Sequence, residues 1–534
     1  MDGTIGRRDF VKLAGGATLA LGCEQAPALA LGFAQAPAAP GPDAAERDLV
    51  LLALDAAKSA GAGYADARIT HGLFEAVGTR EQQITNVTKT ETYGIGVRAL
   101  VGGSWGFAAT RDLSKDAIAR TAREAATIAA SNDKVAPVRM RLAPATRVTD
   151  GRWITPHEID PFGIPIEQKA DLLLKTNAEA LRVKGVRFVS SSILSVKERR
   201  LVATSDGSMI QQTFIRLNPD VTITAVAADS SDFQTRGAVA APAGRGWEYI
   251  VGLNLPGNVA RWAEEAAMKL TATPVEPGTW DLVLHPSHLW LTIHESIAHP
   301  TELDRALGYE ANYAGTTFLA PPEKVLKTFK LGPELMTVQA NRNEPGGCAT
   351  VGWDDEGIAA TSYPIIDKGV FVNYQSATRD MVGWTSSITG VKASPGHAYG
   401  QDWSAIPFPR MSNVSLLAGT RDLSEEDVIG ATKRGIYIEG DGSYSIDQQR
   451  YNFQFGGQVF WEIRDGKKTR MLRDAAYVAR TPEFWRSMAV IGGPKTYSLG
   501  ASFSDAKGQP GQLNAVSHGC PIALFRNVTV INTA

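Results

Sequence analysis

The stretch Trp280-Asp281-Leu282-Val283-Leu284, followed after nine residues by His294-Glu295-Ser296-Ile297-Ala298-His299-Pro300, carries most of the structural and chemical signal in this chain. The first run is apolar and predicts a strand. His285-Pro286-Ser287 predicts a turn with Ser287 as a helix N-cap, and residues 288–299 predict an amphipathic helix. Two histidines and a glutamate therefore come at the end of a helix that packs on a sheet.

The residue types at the end of this helix are those of a hydrolytic zinc site. Neutral imidazole nitrogens bind zinc readily, and a neighbouring glutamate can accept a proton from a water whose pKa the metal lowers to about 7. His294 and His299 are therefore candidate ligands, and Glu295 is the candidate general base. The alternative is that the histidines only pack on a partly buried helix, since HExxxH also arises by chance.

The five-residue spacing of the histidines requires a departure from a regular α-helix. Each residue turns about 100°, so His299 would lie about 140° away from His294 around the helix axis. Two explanations are open. A π-bulge can add one residue to the turn, or the helix can end at His299, because Pro300 disfavours the α conformation of the residue before it.

Several motifs in the same order resemble the TldD/PmbA metallopeptidases, and the resemblance covers nearly everything after an N-terminal leader. The motifs are Gly94-Ile95-Gly96-Val97-Arg98, residues 294–304, Gly352-Trp353-Asp354-Asp355-Glu356-Gly357 and Lys507-Gly508-Gln509-Pro510. The resemblance implies a zinc-dependent peptidase with one ion per chain, acting on unfolded or small peptides. It also implies an α+β fold, with an α/β-type N-terminal domain and a β-rich C-terminal domain, and a dimer with itself or with a paralogue.

The third zinc ligand departs from the family's pattern. The family has a cysteine before its C-terminal glycine-rich segment, and Asp505 stands at that position here. A carboxylate is an acceptable zinc ligand, and two histidines with one acid leave a fourth position for water. The harder oxygen donor leaves manganese or iron open as the metal. Cys520 is the alternative ligand, unless it is a buried thiol that acts as a small hydrophobe.

Other polar residues near these motifs each allow two interpretations. Glu302 and Asp304 either hydrogen-bond the ligand imidazoles or are ordinary helix-surface charges. His518 could contact a ligand residue, orient substrate or stabilise an oxyanion, or it could be a core or surface histidine. The acidic run at residues 354–356 offers oxygens to a hard cation but lacks the spacing of a calcium loop, so a tight turn is preferred.

The N-terminal leader has the form of a twin-arginine export signal. Arg7-Arg8 precedes a small and apolar run at residues 14–22, and cleavage after Ala36 suits a small-x-small rule. The run is shorter than the about 20 apolar residues of a membrane span, so no stable span is expected. We therefore predict a periplasmic location, and lipid attachment at Cys23 stays open.

Length and periodicity predict the domains and the main helices. The 534 residues are 44% hydrophobic, which suffices for more than one core, and the net charge of −2 indicates neither nucleic acid nor anionic membrane as a partner. We predict a signal peptide over 1–36, a linker over 37–45, an N-terminal α+β domain over 46–275 and a β-rich C-terminal metallopeptidase domain over 276–534. Apart from the HExxxH helix, apolar periodicity predicts helices over 43–60, 114–130, 166–182, 258–270 and 425–433.

The sequence therefore predicts an exported zinc metallopeptidase in which Glu295 acts first as general base and then as general acid. Two rival hypotheses remain. The protein could hydrolyse non-peptide bonds, or it could be a catalytically silent binding or partner subunit. The intact His294, Glu295 and His299 count against a silent subunit, and the missing cysteine counts for it.

Replacing Arg7 and Arg8 together by Lys is expected to trap the precursor in the cytoplasm, because the export receptor recognises the arginine pair. Cell fractionation with immunoblotting measures the distribution, and Lys12→Arg, which leaves the pair intact, is the control. Normal periplasmic amounts of the double variant would contradict the export prediction.

Overall fold

The computed structural model describes residue 41 and residues 43–534, so the predicted signal peptide, Cys23 and most of the predicted linker lie outside the described residues. Within the described residues, no helix is both long and apolar enough to cross a membrane. The α-helices span Ala44–Ser59, Lys115–Asp133, Ile166–Leu181, Trp247–Leu253, Leu255–Lys269, Pro286–Ile293, Leu303–Ala306, Pro322–Val325, Arg379–Thr389, Glu425–Gly430 and Thr481–Arg486.

The N-terminal half is built on one seven-stranded sheet. Its strands run in the order β3-β2-β1-β5-β6-β4, with β7 paired to β6. Long antiparallel hairpins dominate it, and a turn that includes Asp206 and Gly207 joins β5 to β6. The strands are β1 Tyr64–Arg80, β2 Gln83–Val101, β3 Ser104–Thr110, β4 Gly151–Ile154, β5 Val186–Thr204, β6 Met209–Val226 and β7 Phe233–Gly237.

The C-terminal half is rich in strands, as predicted. Its largest sheet has the order β16-β9-β23-β19-β17-β18-β8, and because β16 also pairs with β17, five of these strands close into a ring. The strands are β8 Thr273–Pro274, β9 Gly278–Leu284, β10 Val338–Asn341, β11 Ser362–Asp367, β12 Val370–Phe371, β13 Ala398–Tyr399, β14 Phe408–Pro409, β15 Asn413–Leu416, β16 Arg434–Ile446, β17 Asn452–Arg464, β18 Lys467–Arg473, β19 Ala475–Arg480, β20 Met488–Ile491, β21 Ser498–Lys507, β22 Gln512–Cys520 and β23 Ala523–Asn532.

The α+β class is confirmed, and five of the α-helices were not predicted, of which Trp247–Leu253 and Arg379–Thr389 are the longest. Trp247–Leu253 precedes the predicted fourth helix, and Asn254, in a left-handed conformation, separates it from Leu255–Lys269. This break interrupts the helical periodicity, so the first of the two helices was not predicted. Arg379–Thr389 was missed because its Thr, Ser and Gly residues have low helix propensity, and its burial against the core compensates.

The helix that carries the HExxxH motif differs from the prediction in two ways. It begins at Pro286, and its N-cap is His285, whose imidazole accepts from the Ser287 N–H. The predicted Ser287 cap is therefore wrong. The predicted amphipathic character is wrong as well, because every residue of Pro286–Ile293 except Ser287 is buried. A helix that is buried on all sides belongs to the core. His294 and His299, which follow its last turn, are therefore also inside the protein.

The acidic run at residues 354–356 forms a tight turn that also clamps the two halves together. Asp354 Oδ1 accepts from the N–H groups of Glu356 and Ile358, so the turn interpretation is confirmed. The Asp355 carboxylate accepts from Arg68 on β1 and Arg200 on β5. All of these charged groups are buried, and arginine pairs neutralise the carboxylate of Asp355.

Asp355→Ala is expected to lower the free energy of unfolding by about 3–5 kcal/mol, because it leaves the buried guanidinium of Arg68 without its carboxylate and that of Arg200 with Glu198 alone. Urea denaturation followed by tryptophan fluorescence measures this. Asp150→Ala is the control, since its pair with Arg152 is solvent-exposed and should contribute less than about 1 kcal/mol. Equal losses of unfolding free energy in the two variants would show that Asp355 does not hold the two halves together.

Candidate metal centre

A π-turn brings the two histidines of the motif together. Residues His294–Ala298 form one π-helical turn, in which the His299 N–H donates to the His294 carbonyl, and a 3-10 turn follows over His299–Thr301. The π-bulge explanation is therefore confirmed, and His299 keeps an α conformation despite Pro300. The two imidazole rings lie 4.6 Å apart between centroids.

Three potential ligand atoms converge beside this turn. His294 Nε2 lies 3.7 Å and His299 Nε2 lies 3.6 Å from Asp505 Oδ1. In a tetrahedral zinc site with ligand bonds of about 2.0–2.1 Å, neighbouring ligand atoms stand about 3.4 Å apart. The spacing of these atoms therefore fits one ion. His294, Glu295 and His299 also form a group whose ligand atoms all lie within 4.8 Å of one another.

Asp505 is held in this orientation by Arg410. Asp505 lies on β21 at an irregularity in its pairing with β22, which turns the side chain toward the histidines. Arg410 Nη2 donates to Asp505 Oδ2 over 3.0 Å and to the Asp505 carbonyl over 2.6 Å. Burial raises the pKa of Asp505 to about 6, and Arg410 opposes that shift. The fixed Oδ2 leaves Oδ1 free to face the imidazoles.

The hydrogen bonds of His518 determine which nitrogen of His294 is free. His518 Nδ1 lies 2.9 Å from the Val414 carbonyl, which can only accept, so this nitrogen carries the proton. His518 Nε2 must then accept, and it lies 2.8 Å from His294 Nδ1. His294 therefore donates from Nδ1 and keeps an unprotonated Nε2. Both nitrogens of His518 are used in this way, so the structure places this residue as the hydrogen-bond partner of the His294 imidazole.

A buried carboxylate likewise determines which nitrogen of His299 is free. His299 Nδ1 lies 3.0 Å from Glu302 Oε2, and the other oxygen of Glu302 accepts from Lys507 over 2.8 Å. Burial raises the pKa of Glu302, but Lys507, the His299 N–H and Arg305 outweigh it and hold that pKa well below its usual range. Glu302 is thus an ionised partner of His299. Asp304 is also buried, but it pairs with Lys507 and contacts neither imidazole.

Both histidines are uncharged at neutral pH. Burial lowers the pKa of His294 to about 4 and that of His299 well below its usual range. A metal-binding imidazole must be neutral, so these rings can bind an ion without first losing a proton.

Glu295 is buried beside two groups from the β16–β17 hairpin. Its Oε2 lies 3.7 Å from Arg450 Nε, and its carboxylate hydrogen-bonds the Tyr444 hydroxyl. Burial raises the pKa of Glu295, which makes it a stronger base, while Arg450 opposes the shift. Arg450 Nε is buried and has no hydrogen-bond partner within the described residues. Sequence reasoning missed both groups, because nothing near them in sequence resembles a site motif.

The alternative ligand Cys520 lies away from these atoms. Its Sγ is 3.7 Å from the carbonyl of Pro286, at the opposite end of the helix from His294. Burial raises the pKa of its thiol far above the usual range, so no thiolate is favoured there. Cys348 and Cys520 are both free thiols. Cys520 fits the interpretation of a buried thiol in the core.

A cleft of about 1010 Å³ ends one residue before Asp505, and none of the four residues His294, Glu295, His299 and Asp505 lines it. It is lined by residues of β6 and β7 on one side, and by Trp290, the β16–β17 hairpin and residues 498–504 of β21 on the other. Ser504, the last of these, directly precedes Asp505. Gly500 is needed here, because a Cβ atom at that position would lie 2.0 Å from the Trp290 ring.

Comparison with known proteins assigns the chain to a family. Residues 65–129 match domain 1 of the PmbA/TldA metallopeptidases, residues 159–273 match their central domain, and residues 277–532 match their C-terminal domain. A metalloprotease of Methanocaldococcus jannaschii is 25% identical over 413 residues, which cover 77% of this chain and 86% of that protein.

Two further similarities agree. A zinc metalloprotease TldD homolog of Saccharolobus solfataricus is 21% identical over 475 residues, which cover 87% of this chain and 96% of that protein. The crystal structure of TldE from Thermococcus kodakarensis has a TM-score of 0.65 at 16% identity and covers 91% of this chain and 100% of that chain, so it shares the fold. The chain therefore belongs to the PmbA/TldD family of metallopeptidases.

Proposed function

We propose that this protein is a zinc-dependent peptidase that hydrolyses extended or unfolded peptides at the centre formed by His294, His299 and Asp505. The observation that carries the proposal is that the unprotonated Nε2 atoms of His294 and His299 each lie within 3.7 Å of the same carboxylate oxygen of Asp505, with Glu295 beside them. Two histidines and one acid are also the ligand set of catalytic zinc sites that keep a position open for water.

The residues present fit a zinc ion by donor type and by spacing. Neutral imidazoles suit zinc, and the carboxylate oxygen of Asp505 also suits manganese or iron, so those metals remain alternatives to be tested. When bound, zinc supplies a Lewis acid that lowers the pKa of a water molecule and polarises a carbonyl. The name of the Saccharolobus relative supports zinc as the first choice.

The protein's own groups account for the proton movements of peptide hydrolysis. Glu295 accepts a proton from the attacking water as its oxygen bonds to the carbonyl carbon. The C–N bond then breaks, and Glu295 returns the proton to the leaving nitrogen. Arg450 and Tyr444 lie against the same carboxylate, and we assign to them the stabilisation of negative charge on the former carbonyl oxygen.

The cleft supports an extended peptide as the substrate. Within the described residues, β21 pairs only with β22, so its other edge is unpaired, and residues 498–504 of that edge line the cleft. An extended chain that adds to such an edge is held by main-chain hydrogen bonds and is therefore recognised with little dependence on sequence. Its carbonyl groups would be presented in turn toward Asp505.

The location that we propose rests on the sequence. We propose export to the periplasm by the twin-arginine route, which the pair Arg7-Arg8 supports. Twin-arginine cargo crosses the membrane folded, and a site whose ligands come from positions as far apart as 294 and 505 is complete only in a folded chain. The metal centre and the export route are therefore compatible.

Glu295→Gln is expected to keep its metal and to lower peptide hydrolysis at least ~10²-fold, because the amide cannot accept the proton. Metal content by mass spectrometry and new peptide termini from short unstructured peptides measure the two quantities on one sample. Glu276→Gln, at an exposed position, is the matched control. Unchanged turnover would rule out Glu295 as the base, and no hydrolysis by the metal-loaded wild type would reject the peptidase proposal.

Asp505→Ala is expected to lose both metal and activity, because only two ligands remain. Asp505→Cys should retain zinc, since a thiolate is a good and softer zinc donor. Cys520→Ala is the control and should keep its metal, because that thiol lies at the Pro286 carbonyl. Loss of metal from Cys520→Ala together with retention in Asp505→Ala would mean that the third ligand is misassigned.

A further inference from the structure

Two buried arginines at the contact between the N-terminal and C-terminal halves have no carboxylate partner. Arg216 lies on β6, and Arg342 directly follows β10. The two residues are only 6% and 2% exposed. Within the described residues, neither side chain forms an ion pair with an acidic group. Because a guanidinium keeps its charge in proteins, two positive charges lie inside the protein here.

Most hydrogen-bond donors of these two guanidiniums are unused. Arg342 Nε and Nη1 are buried and have no hydrogen-bond partner within the described residues. Arg216 donates from Nε to the Cys348 carbonyl over 2.8 Å, and this is the one hydrogen bond that its guanidinium makes with the described part of the chain. Burying a charge without hydrogen-bond partners is unfavourable. The arrangement therefore favours a ligand that accepts hydrogen bonds from both side chains.

The carboxylates near Arg342 are used by other donors. Asp355 accepts hydrogen bonds from Arg68 and Arg200. Asp354 accepts from three backbone N–H groups, those of residues 356, 358 and 398. Each acid is therefore already satisfied by groups other than Arg342. Within the described residues, the chain provides no acceptor for the two unpaired nitrogens of that arginine.

The charges around Arg342 leave one positive charge in excess. Burial lowers the pKa of Arg342, and Asp354 and Asp355 oppose this shift. The like charge of Arg216 lowers that pKa further, so the two guanidiniums are close enough to repel each other. Since Asp355 is paired with two other arginines, Asp354 is the acid left to balance two positive charges. One more negative charge would make the group neutral.

We propose that a chloride ion binds between Arg216 and Arg342 at the contact of the two halves. It supplies the single negative charge that balances the two guanidiniums, and it accepts hydrogen bonds from several directions at once. A guanidinium presents its N–H groups in a fixed fork, so each arginine can donate to the ion. The deep burial of both residues favours a small anion over a phosphate or a carboxylate. The site uses none of the residues of the metal centre, so it does not depend on the peptidase proposal.

Urea denaturation at constant ionic strength tests the chloride site in solution. Sodium chloride replaces sodium gluconate in steps, and tryptophan fluorescence follows the unfolding of the whole chain. Because the ion would bind the folded chain, the equilibrium constant for folding should rise about tenfold for each tenfold increase in chloride above the dissociation constant. An equal stability of the wild type in the two salts would overturn the proposal.

A substitution at Arg342 separates a specific ion from a general salt effect. Arg342→Met should abolish the response to chloride. It should still fold, since an apolar side chain of similar size replaces a buried charge. Arg187→Met, at an exposed position, is the matched control and should keep the response. The same chloride response in the wild type and in Arg342→Met would show that the ion acts elsewhere.

A crystal structure with bromide in place of chloride tests the position of the ion. Bromide carries the same charge and scatters anomalously, so it can be told apart from water. An anomalous peak between the guanidiniums of Arg216 and Arg342, absent from Arg342→Met, is the expected result. Water alone at that position would overturn the proposal. A peak in crystals without any chloride response in solution would show an adventitious ion only, and the proposal would then be wrong as well.

Discussion

The hydrogen bond from the His299 N–H to the His294 carbonyl is the constraint on which the centre depends. It widens one helical turn by a residue and so returns two histidines five apart to the same side of the helix. The helix ends just after this turn, so the carbonyls of its last residues lack helical partners, and inside a protein these must be satisfied. Thr301 Oγ1 donates to the Ile297 carbonyl, and Gln375 Nε2 donates to the Ala298 carbonyl. The side chains of Thr301 and Gln375 therefore satisfy the backbone carbonyls at the end of the π-turn.

Hydrogen-bond partners also determine which nitrogen of each imidazole is protonated. Two hydrogen-bond chains are involved. In the first, His294 donates to His518, which donates to the Val414 carbonyl. In the second, His299 donates to the Glu302 carboxylate. Each chain places a proton on the nitrogen remote from Asp505, and burial keeps the rings neutral. The partner of a ligand histidine usually fixes its tautomer in this way. The site is thus prepared for a cation by groups that need never contact it.

The sequence predicted the local parts of this structure better than the distant ones. The α+β class, the capped helix after Ser114 and the candidates His294, Glu295 and His299 follow from periodicity and spacing, which are short-range signals. The full burial of the motif helix, and the approach of Arg410, Tyr444 and Arg450, depend on contacts between residues far apart in the sequence, 95 positions in the case of Arg410 and Asp505. Such contacts cannot be predicted from the spacing of residues along the sequence. For Asp505, the family's pattern supplied a position that periodicity alone would not have singled out.

The aspartate at position 505 also changes what its surroundings must provide. A cysteine thiolate and an aspartate carry the same charge, but a carboxylate has a second oxygen, and a buried oxygen without a donor is costly. Arg410 meets that need at Oδ2 while its other bonds go to the carbonyls of Asp505 and Gln512. Those carbonyls would keep Arg410 in place beside a thiolate too. The environment of position 505 is therefore built to orient a carboxylate, and it does so without making the arginine dependent on that carboxylate.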